Sequence, residues 1–461
     1  MITYIYIDGF KSFQNFEMFF SPYTIIAGAN ASGKSNLFDA LSILSELARG
    51  VPVQQVFQNS RGEQDELFTI FNDGSQSEYM TFKVDVLVEK HLLDEWGQKV
   101  KLEFTRFRYE IQFKRIDNLL GSQIEIVRES LSPIAKKEDE WANKYKIRNW
   151  DYWHPKTNKR RNKAYISTLT IKGEEKGSIL IQDGEGSIKK LALDGLKRTV
   201  LSKYNSVETP HIYAVKNEML MWHFLQLTPN DLRTPSEITN NGFLSPTGKN
   251  LAGTLFQLKK KDPYNLVAIS RLITNFIPNY VSVDVVQDEE NKRLVLMITD
   301  SEGRSFSSRV LSEGTLRILA LCVLAIDDTF SGVLCFEEPE NGIHPFRIAS
   351  MAELLNKFST QFQDAETSLH QVIINTHSPL FVMLAKNLNN RFIQSFLSRT
   401  ATYIKNNNGK RVKMEATKMT PIVQNNAFPQ LSLSSNELKM AAMTEQEFLS
   451  IMVQPNKEER F

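Results

Sequence analysis

The chain is poor in cysteine. Cys322 and Cys335 are the only two in 461 residues, and both lie inside apolar runs. That excludes a disulfide scaffold and a cysteine-built zinc site, and it fits a reducing compartment, so a cytoplasmic location is expected. Long hydrophobic stretches are also missing. The longest, Ile318 to Ile326, is about half of the ~18 apolar residues that a spanning helix needs, so no membrane segment is predicted. The first eleven residues carry both Asp8 and Lys11. A secretory signal would open with a basic stretch followed by a long apolar one, so none is predicted. No internal repeat and no sustained heptad array occurs, which excludes a solenoid and a long coiled coil. Net charge is small, with 55 Lys and Arg against 53 Asp and Glu, so the sum names no partner class. The composition that remains, 41% hydrophobic and 23% charged, is that of a folded globular chain. The length suggests about three domains, or one large domain with insertions.

The opening reads as an α/β unit. Ile2 to Ile7 alternates in strand fashion, Tyr23 to Ala27 is a short apolar strand, a glycine loop follows, and Lys34 to Leu47 has helical spacing. Residues 76–130 alternate as antiparallel β-ribbons. Residues 136–163 hold ten Lys or Arg against four acids, with Trp141, Tyr145, Trp150, Tyr152 and Trp153 interleaved. Residues 246–276 read as helical, and a hairpin follows at 280–300. LSEGTLRILALCVLAI predicts a serine-capped helix. GVLCFEE and HQVIINT read as buried strands. The sequence after about residue 400 reads as a polar tail with one amphipathic stretch at 436–453.

Residues 28–35, GANASGKS, match G-x-x-x-x-G-K-[ST] in full. Gly28 and Gly33 let the backbone curl so that its N–H groups converge on phosphate oxygens. Asn30, Ser32 and Asn36 are counted with the same contacts. Lys34 brings a compact positive charge, Ser35 a hydroxyl for Mg²⁺, and the following helix its positive dipole end. Three further features are weaker alone. Glu337 and Glu338 end an apolar strand, which delivers acid to the phosphate edge of a parallel sheet, or is an ordinary acidic pair. Ser312 and Gly314 open a helix and suit a γ-phosphate, or form a simple cap. His377 ends a second buried strand and suits a γ-phosphate, or is structural.

The ordered set GANASGKS, LSEGT, VLCFEEPENGIHP and VIINTHSP resembles the ABC-type ATPases. It is most similar to the branch containing the structural-maintenance-of-chromosomes (SMC) proteins, RecF and the OLD-family ATPases. The opening IDGFKSF also looks like that branch. The resemblance implies an α/β fold: an ABC-ATPase head with a two-lobed mixed sheet, flanking helices and a β-rich, basic insertion. It implies lobe I with the phosphate loop at 1–85 and the insertion at 86–210. A Q-loop region, helical arm and hairpin then span 211–300. Lobe II with signature, Walker B and switch histidine falls at 301–400, and an extension at 401–461. It makes Lys34, Glu338 and His377 catalytic, and Ser35, Glu337 and Gln226 ligands of Mg²⁺. Gln226 is read as the Q-loop glutamine within FLQLTPNDLR, and Asn341 to His344 as the D-loop. Glu337 stands where aspartate is usual. ATP would lie between the phosphate loop of one copy and Ser312 and Gly314 of another, which implies a homodimer or larger homo-oligomer.

The hinge-bearing coiled coil of SMC proteins is absent, and no Asp-x-Asp pair of a TOPRIM nuclease follows His377. What remains looks like the compact stand-alone AAA-family ATPases of bacterial anti-phage systems, which work with a separately encoded nuclease or toxin. A RecF-like DNA-binding repair ATPase and a weakly hydrolysing ATP-bound scaffold are the rival expectations. For residues 136–163 a nucleic-acid surface, a partner-protein surface and a solvated loop with inward-packed aromatics all remain open.

Overall fold

Two large sheets organise the chain, which is of the α/β class. The computed structural model describes residues 1–94, 96–100, 102–118, 121–147, 150–153, 163–169, 177–183, 188–205, 208–238, 243–288, 290–328, 330–362, 368–407, 410–423 and 443–453. The elements used below are β1 (Ile2–Asp8), β2 (Tyr23–Ala27), α1 (Lys34–Ala48), α2 (Glu140–Tyr145), β3 (Trp222–Leu225), α3 (Glu313–Ile326), β4 (Gly332–Glu337), α4 (Pro345–Phe358), β5 (His370–Thr376), β6 (Ile393–Asn407) and β7 (Lys410–Val423).

The first sheet is antiparallel. From one edge it runs Phe16–Phe19, β1, Tyr79–Leu87, Arg106–Asn118 and Gly121–Pro133, and ends in three short strands between Ile166 and Ala192. The β-ribbons within residues 76–130 therefore continue this sheet strand by strand. The second sheet has the order β3-β4-β5-β2-β6-β7, with Met443–Thr444 at its edge. Its strands from β3 to β6 are parallel, and β6 and β7 form a long antiparallel hairpin. Residues 401–407 and 410–423 are thus sheet, not tail.

The continuous apolar runs of β2, β4 and β5 follow from their position. A strand covered on both faces needs apolar side chains at every position. Ile26, Val333, Cys335 and Ile373 face α1 and the first sheet, whereas Ile25, Leu334, Phe336 and Ile374 face α3 and α4. The amphipathic segment near the C-terminus, Glu445–Val453, packs Phe448 into the second of these cores.

A glutamine stitches the two sheets together. Gln371 of β5 is fully buried; its Oε1 accepts from Ile2 N at 2.8 Å, and its Nε2 donates to Ile2 O at 2.7 Å and Ser21 O at 3.0 Å. The side-chain amide stands in for a strand partner of β1. Gln371→Leu removes three hydrogen bonds to buried backbone groups, leaving Ser21 O only its bond from Thr24 Oγ1, and urea unfolding should report a loss of about 3 kcal/mol.

The segment before and through α2 crosses the same seam. Asp139 caps α2 at Ala142 N and forms a buried ion pair with Arg106 at 2.6 Å. Trp141 Nε1 donates to Phe20 O at 2.6 Å, and Tyr145 OH donates to Gln394 at 2.6 Å. Trp141 and Trp153 are both 1% exposed, packed with Phe362 and Phe392. This corrects the base-stacking expectation for these two rings: their faces are spent on the core. Arg160 and Arg161 lie outside the described residues. Among the described residues, no helix is long and apolar enough to cross a membrane.

Candidate functional site

Sheet register assembles the site. Glu337 is paired with Asn375, and Thr376 with Ala27. The C-terminal ends of β4, β5 and β2 are therefore level, and the chain leaves them as Glu338, His377 and Gly28 along one edge. β3 adds a fourth strand, with Leu225 paired to Phe336. Gln226 follows it at the same edge. Its N–H donates to Pro246 O at 2.8 Å and its side chain is exposed.

The loop from Gly28 to Gly33 turns β2 into α1. Ala31 and Gly33 have φ of +62° and +90°. Gly28 has no room for a side chain, since a Cβ would meet Ser398 O at 2.4 Å. Gly33 carries both constraints: its φ is left-handed and a Cβ would meet Thr417 Oγ1 at 1.9 Å. Lys34 Nζ donates to Gly28 O and Ala29 O, each at 2.8 Å; burial lowers its pKa, and the nearby Glu338, Glu340 and Glu337 carboxylates oppose that fall. Asn30 is exposed, while Ser32 Oγ is buried with no hydrogen-bond partner among the described residues. That orphan hydroxyl, the curled backbone and the lysine are the donor set a polyphosphate needs. Gly33→Ala combines a strained φ with a steric clash, and should weaken binding of a fluorescent ATP analogue by more than about tenfold.

The acids differ in surroundings. Glu337 is hydrogen bonded to Ser35, whose Oγ also accepts from Asn375 Nδ2 at 3.2 Å. Burial raises the pKa of Glu337, and Arg61 and the Ser35 hydroxyl oppose that rise. Asn375 Oδ1 is buried with no hydrogen-bond partner among the described residues. A serine hydroxyl, a carboxylate and a spare amide oxygen are hard donors that fit Mg²⁺. Glu338 takes a left-handed φ of +45°, uncommon outside glycine, which turns it out of the strand. Its Oε2 accepts from Asn341 Nδ2 at 2.5 Å, and its Oε1 lies 3.3 Å from His377 Nδ1. Glu340 is buried and accepts from Thr376 Oγ1, and burial raises its pKa.

Ser312 and Gly314 stand apart from this loop. Ser312 caps α3, accepting from Thr315 N at 3.3 Å, and is exposed. Among the described residues no hydrogen bond joins it to residues 28–35. A Cβ on Gly314 would meet Gly342 O at 2.3 Å, so the start of α3 packs directly on the turn that follows Glu340. The structure thus gathers residues 28–36, Glu337, Glu338 and His377 at one edge. The capped start of α3 faces solvent beside them. Asn36 is committed elsewhere, its Nδ2 donating to Ser12 Oγ at 2.9 Å.

Several groups at this edge escape the sequence reading. Asp39, one turn beyond Ser35 on α1, holds Lys11 at 2.7 Å and Arg61 at 2.9 Å. Asp39 could have been found from its i, i+4 spacing to Ser35; Arg61 carries no local signal. Asn375 becomes visible only once β4 and β5 are known to be neighbours.

A family described as "AAA domain, putative AbiEii toxin, Type IV TA system" matches residues 23–383. No curated protein matches the chain. Solved structures are similar at a distance. An Smc head domain with an extended coiled coil from Pyrococcus furiosus, bound to the C-terminal domain of ScpA, is 12% identical. Coverage is 91% of this chain and 96% of that one, with a TM-score of 0.45. The SMC head domain from Thermotoga maritima is 12% identical, covering 91% and 98%, with a TM-score of 0.38. An Smc head with a coiled coil and joint from Pyrococcus yayanosii is 10% identical, covering 99% of each, with a TM-score of 0.42.

Proposed function

Since this chain belongs to that AAA-domain family, we propose that it binds and hydrolyses ATP with Mg²⁺ between two copies of itself, so that nucleotide drives assembly and hydrolysis releases it. One observation carries the reading. The start of α3 is capped, exposed and bonded to nothing in its own phosphate loop, yet it packs against the turn joining Glu338 to α4. Such a helix start is a ready anion site awaiting a phosphate from elsewhere.

In this reading Lys34 and the N–H groups of residues 28–35 hold the phosphates. Ser35 and Glu337 would hold Mg²⁺, with Gln226 at the rim. The ion supplies charge neutralisation on phosphate oxygens. Glu338 takes the proton of the attacking water, whose oxygen bonds to the γ-phosphorus as the bridging P–O bond breaks. Asn341 and His377 fix the Glu338 carboxylate, and His377 donates to the γ-phosphate. Ser312 and the Gly314 N–H of the second copy complete the site. Loss of the γ-phosphate removes what those groups held, and the population returns to separate chains.

The effector would be a separately encoded nuclease or toxin in phage defence. A DNA-repair role has weaker support, because Trp141 and Trp153 are buried. Phosphate release from ATP, abolished by EDTA, and a doubling of the light-scattering mass with ATP are the expected results. No phosphate release together with an unchanged mass would overturn the proposal.

A further inference from the structure

The β6–β7 hairpin lies beyond residue 383, where the family match ends. It is nonetheless in direct contact with the phosphate loop. Ser398 Oγ of β6 donates to Ser32 O at 2.7 Å, and Thr417 Oγ1 of β7 donates to the same oxygen at 3.3 Å. Thr417 Oγ1 is also 2.7 Å from Ser12 Oγ, and Thr417 N donates to Ser12 O at 2.8 Å. Ser12 Oγ accepts from Asn36 Nδ2 at 2.9 Å. Proton counting orients this chain. The Asn36 amide gives to Ser12, the Ser12 hydroxyl gives to Thr417, and the Thr417 hydroxyl gives to the Ser32 carbonyl. Each bond polarises the next.

The consequence falls on Gly33. A trans peptide is planar, with C=O and N–H pointing in opposite directions. Two hydroxyls that draw the Ser32 carbonyl toward the hairpin therefore turn the Gly33 N–H the other way, into the concave side of the loop. Thr417 also fills the space where a Gly33 side chain would stand. We infer that Thr417, seconded by Ser398, is a positioning residue for nucleotide binding: it aims the Gly33 amide at the phosphates from a hairpin outside the matched domain. The inference rests on residues 28–35 binding a nucleotide.

The test is titration of the full chain with a fluorescent ATP analogue and Mg²⁺, alongside saturating phosphate-release rates. Thr417→Val keeps the shape and removes the hydroxyl. It should raise the Kd about tenfold while kcat stays within about twofold, and Thr417→Ser should restore the parental Kd. Ser398→Ala should raise the Kd about threefold, and it decides the matter if Thr417→Val does not fold. A purely structural role would lower the melting temperature and leave the Kd unmoved in the folded fraction. Tight binding by the parent with an unchanged Kd in Thr417→Val, or in Ser398→Ala if the valine variant does not fold, overturns the inference. Failure of the parent itself to bind removes the nucleotide reading on which it rests.

Discussion

Glu338→Gln is expected to lower phosphate release at least about 100-fold while leaving ATP binding within a few-fold of the parent. Glutamine keeps the volume and one carbonyl oxygen, so Asn341 Nδ2 retains an acceptor in place of the 2.5 Å bond to Oε2. What it loses is the basic oxygen beside His377 and the charge that pulls a proton from water. The Ser35–Glu337 contact, the lysine and the loop amides are untouched. A chain that binds ATP without cleaving it should accumulate in the assembled form, with a mass near twice the monomer in ATP and single in ADP. Near-parental turnover in this variant would remove Glu338 from the chemistry.

Ser312→Arg should produce the complementary defect. A long cation in place of an exposed cap fills the space a second copy's phosphates would enter, so hydrolysis should fall about 100-fold. Binding of ATP to the single chain should persist, because the 28–35 loop forms no hydrogen bond with Ser312 among the described residues. Losing the cap costs about 1 kcal/mol of helix stability, too little to unfold the chain. Light scattering should then report a monomer with and without ATP. An arginine variant that hydrolyses normally would place Ser312 outside the reaction.

Much of this is legible in the sequence because the decisive signals are local. A strand buried on both faces must read as an unbroken apolar run, and an acid closing such a run stands at a sheet edge; VLCFEE and VIINTH are short enough to be read by eye. The phosphate loop is likewise contiguous. What stays hidden depends on which strands are neighbours. Asn375 matters because β5 lies beside β4, and Thr417 because β7 lies beside β6, nearly four hundred residues from Gly33. The hairpin itself carried a signal that polar composition masked. In RVKMEATKMT, Val412, Met414 and Ala416 alternate with charged residues, and all three are buried. The basic, aromatic segment misled for the opposite reason. Its tryptophans answer to a seam between two sheets, and no local pattern marks a seam.

The most direct test uses two variants that are each inactive alone. Lys34→Ala should disable the phosphate loop, and Ser312→Arg the capped start of α3. Copies carrying different tags are co-expressed and the mixed assembly is compared with each variant. A site built from both chains is whole on one side of every mixed pair, so the random mixture should recover about a quarter of parental ATP hydrolysis. If mixed assemblies form and release no more phosphate than either variant alone, the nucleotide is not shared between copies, and the shared-site account is contradicted.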